Sequence, residues 1–66
     1  MDEAHRERRN YVLRTTAALH REAASRHGEA AVRFDRLGRP EHAYQERESA
    51  RRALGRALAD EFAVID

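Results

Sequence analysis

Two histidines, His20 and His27, have the residue type and spacing that most readily suggest chemistry in this chain. They lie seven residues apart, so on a helix they share one side. Imidazole nitrogens bind transition metals such as zinc, and helical bundles build metal sites from side chains that face inward. Two helical turns separate these histidines by about 10 Å along the axis. A metal site would therefore need a further histidine or carboxylate from another helix.

A structural role for the same two histidines is the interpretation that we favour, with metal binding as the alternative. Polar residues in the seam of a coiled coil set register and oligomeric state. We expect His20 and His27 to lie in such a seam, each bonded to a glutamate or to a backbone carbonyl. This role predicts pH sensitivity, because a neutral histidine in a closed interface becomes costly to keep there once it is protonated. His42, in the first turn of the second predicted helix, is expected to be exposed.

A seven-residue repeat around the histidines predicts the helix that positions them. Three consecutive units spanning residues 16–36 agree in phase: small residues fill the first two places, and His20, His27 and Phe34 fill the fifth. This is the spacing of a coiled-coil seam. Alanine at alternate seam positions lets a neighbouring helix approach closely. The predicted seam consists of Leu13, Ala17, His20, Ala24, His27, Ala31 and Phe34.

The segment Leu37-Gly38-Arg39-Pro40 is the strongest turn signal in the chain. Glycine just past a helix and proline in the first turn of the next helix are typical of helix boundaries. Gly28 and Gly55 lie inside the helices and are expected where another element passes closely, since each weakens a helix relative to alanine. We predict one domain, residues 1–66, with a helix over about 8–37 (or from Asp2), a turn at 38–40 and a helix over about 40–64.

The second predicted helix has its own apolar stripe, which we expect to pack against the first helix. It consists of Ala43, Ala50, Leu54, Ala57, Leu58, Phe62 and Ile65. Charge favours antiparallel packing, because residues 1–40 contain nine arginines and six acidic residues, whereas residues 41–66 contain four and six. Folding the chain at the turn predicts four neighbour relationships: Phe34 with Tyr44, His27 with Ala50 or Arg51, His20 with Leu58, and Leu13 with Ile65.

Length and composition argue that one hairpin does not suffice. Of the 27 apolar residues among 66, 13 are alanine, and there is no cysteine for a disulfide. A chain this short usually needs a disulfide, a metal or a partner subunit. We therefore predict an all-α fold, a two-helix antiparallel hairpin that dimerises into a two-fold symmetric four-helix bundle. The apolar residues that a lone hairpin leaves uncovered are Val12, Leu19, Val32, Leu37 and Leu54.

The residues around the turn follow the pattern Ala31-x2-Phe34-x3-Gly38-x4-Ala43-x6-Ala50. This pattern resembles the helix-turn-helix of a tetratricopeptide repeat, in which small residues pack two helices and an aromatic side chain fills the gap. The resemblance covers residues 31–50; Arg47 stands where the repeat usually has an aromatic residue, and no second copy follows. It implies a tightly packed hairpin with a protein-interaction role, and it implies neither a catalytic residue nor a cofactor.

The arginines supply a second alternative function, weak nucleic-acid binding. Arg47, Arg51, Arg52 and Arg56 form a stripe on the second predicted helix. However, 13 arginines and 12 acidic residues leave a net charge of +1, far from the basic surplus that phosphate binding usually needs. Acidic residues also precede several arginines by one helical turn, as Glu48 precedes Arg52, which is typical of a solvated face. We therefore place nucleic acid below protein as the expected partner.

Catalysis, cofactor binding and membrane insertion have no clear signal in the sequence. There is no glycine-rich phosphate loop and no cysteine, and Ser25 and Ser49 lie on predicted helices. No apolar run approaches the ~20 residues of a membrane span, and no signal-peptide core follows Met1. We predict a cytoplasmic, non-enzymatic module without a cofactor. It is expected to act in protein–protein interaction or regulation as a homodimer, or with a larger protein partner.

Overall fold

A short turn joins two antiparallel helices in the computed structural model, which describes residues 2–65. Helix α1 spans Glu3–Arg36 and helix α2 spans Pro40–Phe62. The pair forms a rod whose Cα atoms extend over 54 × 12 × 12 Å. Over the described residues the fold is all-α and without strands, as the sequence predicts. Neither described helix carries an apolar stretch of the length that crossing a bilayer requires.

Helix α1 begins at Glu3 with Asp2 as its N-cap, which agrees with the earlier of the two predicted starts, Asp2, and not with the one near residue 8. The Asp2 carboxylate caps the helix by accepting a hydrogen bond from the backbone N–H of His5 (2.8 Å). Glu3 adds negative charge in the first turn, where the helix dipole favours it. Capping and charge stabilise these first turns. Apolar periodicity begins only later in the chain, so it places the start too far along.

Gly38 ends α1 with φ of 70°, a backbone conformation that residues with side chains rarely adopt. Its N–H donates to the carbonyl of Asp35 (3.1 Å), and the N–H of Arg39 donates to the carbonyl of Phe34 (2.9 Å). This pair of bonds is the Schellman motif, which satisfies carbonyls at a helix end. Pro40 then begins α2, where its missing N–H has no cost. The turn chemistry is therefore that expected of the sequence.

The open end of the hairpin is closed by Arg9 and Asn10. Asn10 Nδ2 donates to the carbonyl of Ile65 (2.5 Å), and the N–H of Ile65 donates to Asn10 Oδ1 (3.0 Å). Arg9 Nη1 donates to the carbonyl of Ala63 (2.8 Å). Ile65 is thus held through its backbone, whereas the sequence predicts side-chain packing on Leu13. Sequence pattern gives no sign of this clamp, because Asn10 and Ile65 lie 55 positions apart.

Alanine builds the contact between the two helices. The buried apolar residues are all alanine, each at most 6% exposed, namely Ala17, Ala31, Ala43, Ala53 and Ala57. Among residues 2–65 no large side chain is fully buried. Small side chains at a contact bring helix axes closer together. The other members of the predicted α1 seam are half-buried around this contact: Leu13, His20, Ala24, His27 and Phe34.

The stripe of α2 that faces α1 differs from the predicted one. Its buried and half-buried members are Ala43, Glu46, Ala50, Ala53, Ala57 and Asp60. Four predicted members are instead 40%, 42%, 87% and 44% exposed: Leu54, Leu58, Phe62 and Ile65. Two carboxylates occupy inner positions, so a search for apolar residues places the stripe too far round the helix. The single hairpin therefore leaves the larger apolar residues of α2 on its surface.

One aromatic contact also differs from the expected neighbours. Phe34 stacks on His42, with ring centroids 5.0 Å apart, whereas the sequence predicts Tyr44 as its neighbour. Tyr44 is exposed. His42 is exposed as well, so it lies where expected but covers part of the Phe34 ring. The contact closes the turn end of the hairpin.

Candidate functional site

His27 lies against Glu46 across the helix–helix seam. His27 Nδ1 and Glu46 Oε2 are 2.6 Å apart, and the two side chains are 41% and 28% exposed. Glu46 belongs to the inner stripe of α2, so the contact forms within the seam. A glutamate is therefore the partner of this histidine, as the structural interpretation of the sequence expects. Ala50 and Arg51 are the predicted neighbours that it replaces.

His20 faces Asp60 in a looser arrangement. His20 Nε2 and Asp60 Oδ2 are 3.9 Å apart, beyond hydrogen-bond distance. Asp60 Oδ2 is shielded from solvent and has no hydrogen-bond partner among the described residues. The sequence predicts a glutamate or a backbone carbonyl as the partner of His20, and Leu58 as its neighbour on α2. In the structure Asp60 is the residue that faces it. The separation allows attraction between charges but not a hydrogen bond.

Each of the two seam histidines lies beside a carboxylate. His20 faces Asp60 and His27 faces Glu46 across the seam. Neither imidazole is therefore enclosed by apolar groups alone. The pH sensitivity expected from the sequence stays a prediction.

A metal site is not assembled within one hairpin. Over residues 2–65, no three histidine, cysteine, aspartate or glutamate side chains converge on one point. Each seam histidine has a single carboxylate near it. A tetrahedral zinc site takes three or four protein ligands. The metal alternative for His20 and His27 therefore needs ligands from a second chain.

Two ion pairs cross between the helices on one flank of the hairpin. Arg21 Nη2 donates to Glu61 Oε1 (2.5 Å), and Arg21 Nε donates to Oε2 (3.1 Å), a bidentate geometry. Arg47 donates to Asp35 in the second pair. The arginine lies on α1 in the first pair and on α2 in the second. Hydrogen bonds from Arg21 hold the pKa of Glu61 below its ordinary range, and those to Glu61 raise the pKa of Arg21.

Both ion pairs belong to a regular set of positions that we call the ladder. On each helix its members lie seven residues apart and directly follow a seam residue, so they share one flank. Limited to the three heptads in which positions of α1 and α2 face each other, which leaves out Arg14, the ladder consists of Arg21, Gly28 and Asp35 on α1, and Arg47, Leu54 and Glu61 on α2. Because the ion pairs join the outer members, Gly28 and Leu54 form the middle rung. A search for apolar repeats misses the ladder, since four of its six members are charged.

Large apolar side chains are concentrated on the side of the hairpin that carries the ladder. Among residues 2–65, ten of them are exposed. Leu54 is a ladder member, and three others lie three or four residues from a ladder position on the same helix, hence on the same side: Val32, Tyr44 and Leu58. Tyr11 lies on the same row of α1 as Val32, three heptads earlier. We call this side the ladder face. The remaining five exposed apolar residues are Val12, Leu19, Leu37, Phe62 and Ile65, the last of which lies beyond the end of α2.

The arginine stripe predicted on α2 is largely engaged with neighbouring side chains. Arg47 bonds Asp35, Arg51 bonds Glu48, and Arg52 donates to Ser49 Oγ (3.2 Å). Glu48 therefore pairs with Arg51 rather than with Arg52 as expected. Arg56, the last member of the stripe, is exposed. Arginines that are held by side chains of the same hairpin are less available to phosphate groups.

Comparison of the chain with protein-family models, with curated proteins and with solved structures finds no match.

Proposed function

We propose that this protein is a small non-enzymatic helical module that acts in protein–protein interaction or regulation as a homo-oligomer, in its simplest form a homodimeric four-helix bundle. One observation carries the proposal: among residues 2–65 the buried apolar residues are alanines, whereas ten larger apolar side chains are exposed. The local resemblance of residues 31–50 to a tetratricopeptide hairpin adds support for an interaction role.

The energetics of burial explain why this observation points to a partner. Removing an alanine methyl from water contributes only about 0.8 kcal/mol, whereas burying a leucine or phenylalanine contributes about 1.5–3 kcal/mol. The hairpin buries alanine side chains, which contribute little stability each, and leaves exposed the larger side chains whose burial would contribute more. Soluble monomeric proteins rarely expose large contiguous apolar patches. Where such a patch is exposed, it usually marks an interaction surface. A second copy would supply the cover that the single chain lacks.

The proposal is tested by oligomeric state. We expect native mass spectrometry and sedimentation at neutral pH to show a dimer, and the Tm to rise with protein concentration because association stabilises the folded state. A monomer with a concentration-independent Tm would contradict the proposal. A complex seen only with a larger protein would replace the homo-oligomer by a hetero-complex.

The native mass spectrum also tests the alternative function, metal binding. Asp60 Oδ2, shielded and without a hydrogen-bond partner beside His20, is the atom that favours it. Stoichiometric zinc retained by a dimer would make His20 and His27 the site, with the second chain supplying the missing ligands. A metal-free dimer supports the interaction module.

A further inference from the structure

Gly28 leaves a gap on the surface of α1. It lies in the interior of the helix, where glycine costs about 1 kcal/mol relative to alanine. Apart from the backbone of its own part of the helix, a Cβ added there would meet no described atom within 4 Å. The sequence predicts that another element passes closely over Gly28 and Gly55, and no described part of the chain does so at either position. At Gly28, beside the ladder ion pairs, this leaves a notch into which a side chain from outside the chain can fit.

Leu54 is the complementary feature on the same face. It is the α2 position that heptad spacing assigns to the same rung as Gly28, and it is 40% exposed. The middle rung therefore combines one protruding side chain on α2 with one missing side chain on α1. A protruding side chain and a missing one at the same level along the hairpin allow the surface to pair with a copy of itself. A two-fold axis parallel to the helices sets α1 of one copy against α2 of the other, so that each protruding side chain meets a notch.

The charges on either side of the middle rung have the same property. One heptad below it, Arg21 on α1 is paired with Glu61 on α2; one heptad above it, Asp35 on α1 is paired with Arg47 on α2. At both heights the two helices carry opposite charges. If a second copy sets its α2 against α1 of the first copy, each arginine of the ladder therefore faces a carboxylate of the second copy, and each carboxylate faces an arginine.

We propose that two copies of this chain pack through their ladder faces about a two-fold axis parallel to the helices, so that Leu54 of each copy enters the notch at Gly28 of the other. This inference rests on the homo-oligomeric function proposed above and specifies its interface. Arg21 then faces Glu61 of the second copy, and Asp35 faces Arg47 of the second copy. Each ion pair becomes one half of a four-charge cluster, and every helix is antiparallel to its neighbours, as in an up-and-down bundle.

The size of the middle-rung residues decides between the two possible axes. A two-fold axis perpendicular to the helices would also bring opposite charges together, since Arg21 would face Asp35 of the second copy. It would, however, set Leu54 against Leu54 and Gly28 against Gly28, which crowds one helix contact and leaves the other empty. Close packing of interfaces disfavours both defects.

The area of the ladder face suits a dimer. Helix α2 has 23 residues and so lies beside α1 over about 35 Å, and two helices side by side are about 20 Å wide. Such a face offers about 700 Å² per copy, close to the roughly 800 Å² that one partner contributes to a standard stable interface. The opposite side of the hairpin carries fewer exposed large apolar residues, with Val12, Leu19 and Leu37 as its members.

A matched pair of glycine substitutions tests the notch. Gly28→Leu fills it, whereas Gly55→Leu places the same side chain on the outer side of α2, where an added Cβ likewise meets nothing within 4 Å. Both changes improve helix propensity equally, so both variants are expected to fold. We expect Gly28→Leu to raise the dimer dissociation constant at least about tenfold by blocking Leu54. Gly55→Leu should leave it unchanged.

Cross-linking tests the direction of the axis, because the chain contains no cysteine. A Gly28→Cys chain is mixed with a Leu54→Cys chain and treated with a short bismaleimide. The proposal predicts a cross-linked heterodimer that exceeds the product of either chain alone. Predominant Leu54→Cys homodimer would instead indicate the axis perpendicular to the helices and overturn the proposed arrangement.

The results separate this inference from the proposed function. A wild-type dimer that is weakened by Gly28→Leu, together with the mixed cross-link, supports both. A wild-type dimer that tolerates Gly28→Leu leaves the homo-oligomer standing and overturns the ladder-face interface. A wild-type chain that is monomeric at every concentration, including one that binds only a different protein, overturns both.

Discussion

His27 of α1 and Glu46 of α2 meet at 2.6 Å inside a contact whose buried apolar residues are alanines. An alanine seam alone specifies register weakly, because sliding one helix by a heptad places alanine against alanine again. The same slide would move His27 away from its carboxylate and leave Glu46 without a partner in the seam. Polar seam residues are known to fix register in this way. His27 and Glu46 thus give the hairpin an alignment that alanine cannot supply.

Removing His27 alone is expected to destabilise the hairpin. His27→Leu leaves the half-buried Glu46 carboxylate without its hydrogen bond, which should cost about 1 kcal/mol. His20→Leu is the matched control, with a smaller expected loss, since His20 and Asp60 are 3.9 Å apart and share no hydrogen bond. The Tm of the two variants, compared at one protein concentration, provides the measurement.

The double variant His27→Leu/Glu46→Leu separates alignment from stability. It is expected to be at least as stable as the wild type, because a hydrophobic pair often replaces a buried polar pair without loss. Its Tm is compared with that of the wild type at one protein concentration, and a lower Tm for the double variant would show that the pair contributes stability as well as alignment.

Asn10 should control the end of the chain. Asn10→Ala removes both hydrogen bonds to the backbone of Ile65 and is expected to cost about 1–2 kcal/mol, because the freed groups lie in a half-buried contact. Asn10→Asp keeps the acceptor for the Ile65 N–H but sets a carboxylate oxygen against the Ile65 carbonyl, so the repulsion should also release the end of the chain. Hydrogen exchange of the Ile65 amide gives the readout. Equal protection in all three proteins would show that Asn10 does not hold the end of the chain.

The alanine contact should not accept a larger side chain. Ala31 is 2% exposed, so Ala31→Leu is expected to overpack the contact and destabilise the protein by about 1–3 kcal/mol. Ala59→Leu is the control, since Ala59 lies on an exposed side of α2 away from the ladder face. Thermal unfolding monitored by circular dichroism compares the two. An unchanged Tm for Ala31→Leu would mean that the helices are not in close contact at this position.

The Arg21–Glu61 ion pair predicts a loss of stability in acid. The pKa of Glu61 is lowered in the folded state, chiefly by hydrogen bonds from Arg21. The pair therefore stabilises the fold at pH values above the ordinary glutamate range, and this contribution disappears as the pH falls through the folded-state pKa. The Tm difference between the wild type and Glu61→Gln, followed from neutral pH to about pH 3, should shrink toward acid. A constant difference would contradict the prediction.

The sequence by itself determines the two helices, the turn and the seam of α1, because each depends on neighbouring residues. Gly38 and Pro40 set the turn through backbone conformation, and the seven-residue repeat around His20 and His27 sets the seam. It also indicates that large apolar residues such as Leu19 remain uncovered in one hairpin. These features follow from local propensity and from side-chain periodicity, which operate over one or two helical turns.

Only the tertiary structure decides which side of α2 faces α1 and which side chains meet. Glu46 and Asp60 take inner positions that a hydropathy pattern assigns to apolar residues, and Leu54 is left outside as a result. The ladder and the Asn10 clamp likewise join residues far apart in the chain. The physical reason is that helix rotation and alignment follow from pairing charges and hydrogen bonds across the contact. These energies exist only once both helices are in place.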